Sequence, residues 1–309
     1  MPAPAPGARD AHEAIERLAA WFAERPTRQG LLAREALARR RPDDDALRAR
    51  LIDALRHDTR ADGSVGGSLL ATAWRAIELV ELGHGGDQPG AQRAVNWILT
   101  TQNKPGAYGE GCTPERHQRH VCEHFMSGFF APALATQRVA PITLPDGKVF
   151  RVEAPARFAV SCLALRAVLQ AGERRPAVEQ HVASLVRLQE EWENWGGYFP
   201  PDLVGSAIEA LAYAGPARQE VLRRLTALVR DHQEPDGSWA NADLFHMSAA
   251  LVAARTDAAR RALRRAVPQL VGRQRPDGTY GPTAREERAL IALRALLLAT
   301  EDELAPWGF

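Results

Sequence analysis

Five potential metal ligands crowd into one short stretch, GEGCTPERHQRHVCEHFMSGFF: Cys112, His117, His120, Cys122 and His124. Thiolate and imidazole are the groups zinc prefers, and four of them close a site. Cys112, His120, Cys122 and His124 are the candidate ligand set, and zinc is the only cofactor the sequence brings forward. The spacing matches no standard finger and contains no CxxC pair. The same residues therefore also read as polar and core positions of a lid helix.

Acid chemistry has its own candidates. Asp243 and His246 stand together in NADLFHMSAAL, and Asp202 opens an earlier apolar stretch. A carboxyl beside an imidazole can have its acidity tuned by that neighbour, as a general acid requires. Asp243 reads equally well as a helix N-cap, and His246 as a satisfied core histidine. Glu286 and Glu287 open the last apolar segment, where a first-turn glutamate is commonplace. Phe125, Phe129 and Phe130 in the same inserted stretch, with Phe245, offer π faces that stabilise a cation. Asp43, Asp44 and Asp45 follow a proline at the head of a charged segment, where capping and dipole complementation explain them. No nucleotide-binding glycine loop, nucleophile elbow or HExxH motif occurs.

Composition narrows the classes. The chain has 309 residues, 45% hydrophobic and 25% charged, which is ordinary globular usage. Net charge is +1, from 39 basic and 38 acidic residues, without the basic surplus of a phosphate-neutralising nucleic-acid binder. No apolar run approaches the ~20 residues of a membrane span. Three cysteines make no disulfide framework, and the start, MPAPAPGARD, lacks the apolar core of a signal peptide. The expectation is a cytoplasmic protein with residues 1–10 as a disordered tail and 301–309 as a C-terminal tail.

The elements that must position these residues repeat. Glycine loops recur as RADGSVGG, QNKPGAYGEG, ENWGGYFP, QEPDGSW and QRPDGTYG. Gly63 and Gly106 are 43 residues apart, Gly197 and Gly237 40, and Gly237 and Gly278 41. The 91 residues between Gly106 and Gly197 are one period plus an insertion of roughly 48, placed at 107–154. Apolar helices are expected after the loops at 68–83, 157–172, 202–215, 243–254 and 284–299. Amphipathic ones are expected before them at 43–57, 88–101, 176–191, 217–232 and 257–273; Val221, Leu225, Leu228 and Val229 mark one apolar stripe. Segments 11–24 and 28–40 supply a sixth pair. Six helical hairpins close into a ring or stack as an open solenoid. Both chain ends are apolar enough to pack on each other, which favours the ring. ITLPDGKVFRV, at 142–152, reads as a β-hairpin turning at Asp146-Gly147.

The loops resemble the QW repeat of the squalene cyclase and protein prenyltransferase β-subunit superfamily: a glutamine, then glycine, then an aromatic. Gln233, Gly237 and Trp239 match closely; Gln274, Gly278 and Tyr280 match with tyrosine for tryptophan. Gln189, Gly197 and Tyr198, and Gln102, Gly106 and Tyr108, match more loosely. The resemblance covers residues 40–300 and implies an all-α fold, an α/α toroid over 11–300 with the insertion as a lid. The glycine would take a left-handed turn, and the glutamine amide would satisfy free backbone groups at helix ends.

A toroid gathers the N-termini of its inner helices on one rim, where free N–H groups suit an anion such as a diphosphate. That rim is the expected mouth. Related class II terpene cyclases protonate an alkene with an Asp-x-Asp-Asp run; here the run is Pro-Asp-Asp-Asp and opens an outer helix. Prenyltransferases hold zinc with aspartate, cysteine and histidine. His246 and Asp202 are similar to two of these, but Val204 stands where the cysteine belongs. The expected function is a terpene-cyclase-like enzyme acting on an isoprenoid or other lipophilic small molecule by acid-initiated carbocation chemistry. Asp243, or else Asp202, is the expected acid. The alternatives are a zinc-dependent transferase or lyase built on the Cys/His insertion, a carbohydrate-active α/α-barrel enzyme, and a non-catalytic binder of lipophilic ligands. No nucleic-acid partner is expected.

Overall fold

The computed structural model describes residues 6–102, 129–134, 136–190 and 201–304. Among them are six outer–inner helix pairs. The outer members are α1 (Pro6–Phe22), α3 (Asp44–His57), α5 (Pro89–Thr100), α7 (Pro176–Glu190), α9 (Gln219–Asp231) and α11 (Asp257–Gly272). The inner members are α2 (Arg28–Ala36), α4 (Leu69–Glu81), α6 (Glu153–Gln170), α8 (Pro201–Leu211), α10 (Leu244–Ala254) and α12 (Arg285–Leu304). β1 (Ile142–Thr143) and β2 (Val149–Phe150) form an antiparallel hairpin before α6, pairing Ile142 with Phe150.

Burial follows composition. All eleven residues of α8 are buried, as its apolar sequence requires. On α9 the buried residues are Leu222, Leu225, Thr226 and Val229; of the expected stripe Leu225 and Val229 are buried, and Val221 and Leu228 are half-buried. Consecutive inner helices pack side by side from α4 through α6, α8, α10 and α12 to α2. Arg28 of α2 completes the circuit by ion-pairing to Glu78 and Glu81 of α4. Outside, α1 packs on α11 and α12, so the ring is closed.

The closure uses the repeat loop itself. Gln233 donates from Nε2 to Gly237 O and to Ala262 O of α11, both at 2.9 Å. Gln274 makes the equivalent bonds to Gly278 O at 3.3 Å and to Ala14 O of α1 at 3.0 Å. Each glutamine thus ties its loop to the outer helix of the next pair, and the last pair is tied to the first. Gly237 sits at φ +85°, where a Cβ would stand 1.9 Å from Arg265 O. Only glycine allows both the turn and this approach. Trp239 buries its ring and donates Nε1–H to Val229 O at 2.9 Å.

Several boundaries differ from the sequence expectation. Helix α1 begins at Pro6, inside the supposed tail, and α12 runs to Leu304. Helix α6 starts at Glu153, earlier than expected, because Glu153 accepts the Val139 and Ala140 N–H groups and anchors the preceding segment. The acidic run does not cap by its side chain at Asp43. Asp44 is instead buried, taking two bonds at 3.1 Å from Arg34 Nε and one from the Arg41 N–H. Its role is structural. No helix among the described residues is long and apolar enough to cross a membrane.

Candidate active site

The inner helices enclose a cavity of about 910 Å³ on the ring axis. Its two ends differ. At the N-terminal rim the β-hairpin folds inward, and Leu144, Pro145 and Asp146 form the floor. At the opposite rim the lining residues Ala36, Arg255 and Glu301 are exposed. Among the described residues the mouth therefore lies at the C-terminal ends of the inner helices. This corrects the expected orientation: the hairpin covers the rim where helix N-termini converge.

His246 and Asp146 meet at the covered end. His246 lies in the first turn of α10, and Asp146 at the tip of the hairpin; both are buried and line the cavity. Asp146 Oδ2 is 2.7 Å from His246 Nδ1. Asp146 Oδ1 accepts the Lys148 N–H at 2.8 Å, the local bond of an aspartate turn, and Gly147 supplies the left-handed residue at φ +84°. The other ring nitrogen of His246, Nε2, is 3.0 Å from both Ser206 Oγ and Asp202 O on α8. Gly205 makes room for this seat: a Cβ there would come within 3.1 Å of the imidazole. Phe150 packs edge-on against the ring with centroids 6.2 Å apart.

Electrostatics couple the pair. Burial by itself drives His246 toward neutrality, but the Asp146 carboxylate overcomes this and carries it up to about 9, helped by Glu209 and Asp202. Burial likewise raises Asp146. The imidazolium, the Lys148 N–H and the Arg288 guanidinium more than offset that and hold it below the ordinary carboxylate value. The result is a strong carboxylic acid whose conjugate base is stabilised in place.

The expected acids serve other purposes. Asp243 caps α10, accepting the Phe245 and His246 N–H groups at 2.9 and 3.1 Å, and pairs with Arg288 at 3.2 Å. Asp202 is buried, ion-paired with Lys148, and accepts the Asp243 N–H at 2.8 Å. Neither lines the cavity. Arg288 Nε also donates to Asp146 O at 2.8 Å, so one guanidinium pins the hairpin tip to the start of α10. Asp146, Lys148 and Arg288 were missed by sequence reasoning. The one signal in the sequence is the Asp-Gly turn, which specifies a conformation and not a contact.

The aromatic candidates are placed elsewhere. Phe129 and Phe130 are buried, with both N–H groups on Ser161 Oγ and ring contacts to His181 of α7. Phe245 packs on Tyr280 and under Arg288. None of the three lines the cavity, whose aromatic walls among the described residues are Trp74 and Tyr213. Glu286 pairs with Arg25 at 3.3 Å and lies in a separate rim depression of about 520 Å³. Glu287 lines both spaces.

Phe125, Cys112, His120, Cys122 and His124 lie outside the described residues. Among the described residues no three His, Cys, Asp or Glu side chains are placed to hold a metal ion. The zinc set suggested by the prenyltransferase resemblance does not fit: both nitrogens of His246 are engaged, Asp202 is paired with Lys148, and Val204 offers no ligand.

No protein-family model and no curated protein matches the sequence. Solved structures do. The chain is similar to an aspartate-to-asparagine variant of the type II terpene cyclase MstE from Scytonema, in complex with its substrate, geranylgeranyl dihydroxybenzoate. The TM-score is 0.57 at 15% identity, and the alignment covers 95% of this chain and 98% of that one. The likeness extends over the whole ring, and the protein has the α/α toroid fold of the terpenoid cyclases.

Proposed function

We propose that this protein is a terpene-cyclase-like enzyme that protonates a double bond of an isoprenoid chain held in the axial cavity, with Asp146 as the acid. The observation that carries the proposal is the buried Asp146–His246 pair at the covered end of the cavity. The chain enters from the open rim and brings its far double bond against Asp146.

The step balances simply. At neutral pH the two side chains face each other as an ion pair, so the acid is the minority form in which the proton sits on Oδ1, opposite the Oδ2 held by His246. This proton passes to one alkene carbon as the π pair becomes the new C–H bond, leaving a carbocation on the other. Asp146 becomes a carboxylate facing the imidazolium, which stabilises it. The cation is then attacked by the next double bond, and a proton leaves at the end, so product and substrate are isomers. Trp74 lines the cavity and is the aromatic we assign to stabilising the cationic intermediates. His246 is a positioning residue that also strengthens the acid. Asp202, Asp243 and Arg288 hold it and the hairpin in register. The likeness to a type II terpene cyclase supports the reading at the level of fold.

The test is incubation of the purified protein with linear prenyl substrates and mass spectrometry of the products. Cyclised isomers from the wild type and none from Asp146→Asn are expected. No conversion of any prenyl substrate, or full activity in Asp146→Asn, overturns the assignment.

A further inference from the structure

The reaction spends the proton of Asp146, and the acid must be charged again before the next turnover. Asp146 and His246 are both buried at the covered end, and a chain entering from the mouth fills the space between them and the open rim. A proton therefore needs another way in. The rim depression supplies the outer half of one. Its edge residues Thr143, Pro282 and Arg285 are exposed, so it stands open to solvent. Among the described residues, three line both the depression and the axial cavity: Trp74, Pro145 and Glu287. Of these, Glu287 alone is a carboxyl that can take up and release a proton.

Glu287 stands beside the anchor of the acid. It lies in the first turn of α12, where Ala284 and Arg288 grip the hairpin tip: a Cβ on Gly147 would stand 3.1 Å from Ala284 Cβ and from Arg288 Nε. Residues three apart share a helix face, so Glu287 leaves α12 on the same side as Ala284. Its Oε2 is occupied, accepting from Arg28 Nη2 and, at 3.0 Å, from Gln29 Nε2. Oε1 accepts no hydrogen bond from any described residue, and 12% of the side chain remains open. The other wall carboxylates lack this combination. Both Glu81 oxygens are taken, by Arg28 and Arg294. Glu209 pairs with Arg166 and does not reach the depression. The groups facing Glu287 are Arg28 and Gln29 of α2, Glu78 and Glu81 of α4, and Arg294 of its own helix. Burial raises the Glu287 carboxyl above its ordinary value and Glu81 adds to this, while Arg28, Gln29 and Arg294 oppose without cancelling it. Such a carboxyl takes up a solvent proton more readily than an exposed glutamate.

We propose that Glu287 is the proton inlet for Asp146, a carboxyl that takes a proton from the solvent-facing depression and passes it through a water in the cavity to the spent acid. The role rests on Asp146 being the acid. The step closes without a co-reactant. A solvent proton binds Glu287 Oε1. That O–H bond then breaks toward the water, which gives one of its own protons to Asp146 Oδ1, and Glu287 returns to a carboxylate. Nothing is oxidised or reduced, and the proton lost by the final cation returns one to solvent. Glu287 thus acts through Asp146 and not on the substrate.

The test compares wild type, Asp146→Asn and Glu287→Gln on a linear prenyl substrate that the wild type cyclises, with and without added imidazole. Glutamine keeps an oxygen for Arg28 and Gln29 but has no proton to pass on. Imidazole is a small proton donor that enters a depression of about 520 Å³. In Glu287→Gln, kcat is expected to fall about tenfold to a hundredfold, at the low end of what a positioned proton carrier contributes, with KM nearly unchanged. It should recover as imidazole is added, whereas the wild type should not respond. A residue that only held the ring together would show no such recovery. Thr143→Trp, at the exposed edge, fills the depression from outside. Combined with Glu287→Gln it should abolish the recovery; by itself it should lower kcat, and it serves if Glu287→Gln does not fold. A wild-type kcat in Glu287→Gln, a loss that imidazole does not restore, or an unchanged kcat in Thr143→Trp overturns the inlet, and leaves the acid standing as long as Asp146→Asn is inactive. If the wild type cyclises no prenyl substrate, or Asp146→Asn is fully active, acid and inlet fall together.

Discussion

Asp146 Oδ2 and His246 Nδ1 lie 2.7 Å apart although one hundred positions separate the residues. The aspartate comes from a hairpin tip and the histidine from the first turn of an inner helix, and both are buried against the same cavity. If this pair supplies the proton, Asp146→Asn should lower turnover by about a thousandfold, within the range for a lost general acid. Ligand binding should persist, because the amide keeps the shape of the carboxyl. Single-turnover assays alongside equilibrium binding would separate the two effects; equal losses in both would remove the assigned role.

The pair also sets a pH dependence. The folded value of His246 is raised, to about 9, so its contribution to stability is fully present below the ordinary value near 6.5 and lost as pH rises through about 9. Asp146 is lowered, so its contribution is present above the ordinary carboxylate value and lost as pH falls through the folded one. The melting temperature of the wild type should therefore fall between pH 7 and pH 10 more than that of His246→Gln. Turnover should follow the same direction and rise from pH 8 toward pH 5, because acidification populates the protonated carboxyl. Parallel melting curves for both proteins would count against the coupling.

Gly205 tests the seating of the imidazole. A Cβ at this position meets His246 and Met247 at 3.1 Å, close enough that the neighbours must give by a few tenths of an ångström. Gly205→Ala should lower kcat about tenfold or more through misplaced reacting geometry. Its effect on KM should be small, because the cavity wall toward the mouth is untouched. A change confined to KM would show that His246 does not depend on this contact.

The repeat staple should carry stability alone. Gly237→Ala places a Cβ on Arg265 O at a left-handed φ of +85°, and a cost of about 3 kcal/mol is expected from strain and collision together. The folded fraction should keep its specific activity. Chemical denaturation read by circular dichroism measures the first expectation, and activity per folded molecule the second.

The acidic run offers a contrast between neighbours. Asp44→Ala leaves the buried Arg34 guanidinium unpaired and should cost about 3 to 5 kcal/mol. Asp43→Ala, on an exposed pair with Arg41, should change stability by less than about 1 kcal/mol. Equal effects would contradict the structural role given to Asp44.

Much of the architecture was legible in the chain because it is local and periodic. The glycine loops, the alternation of apolar and charged helices and the Asp146-Gly147 turn each follow from short-range sterics and burial, and the helices fall where the period puts them. The resemblance of Gln233, Gly237 and Trp239 to a known repeat added the closed ring. His246 was legible as a buried polar side chain on an apolar helix. Its partner was not, because nothing in a hairpin sequence says into which space its tip points.

The amino-acid sequence by itself determined the six hairpins, their order and the glutamine, glycine and aromatic of each loop, since each depends on residues within one repeat. Tertiary structure alone decided which carboxyl meets His246, which rim is covered, and which side chains line the cavity. Those outcomes depend on how helices distant in the chain align around a common axis, and on a hairpin folding across them. A side chain such as Asp243 or Asp202, well placed by spacing, was taken up by a helix cap and an ion pair once its neighbours arrived.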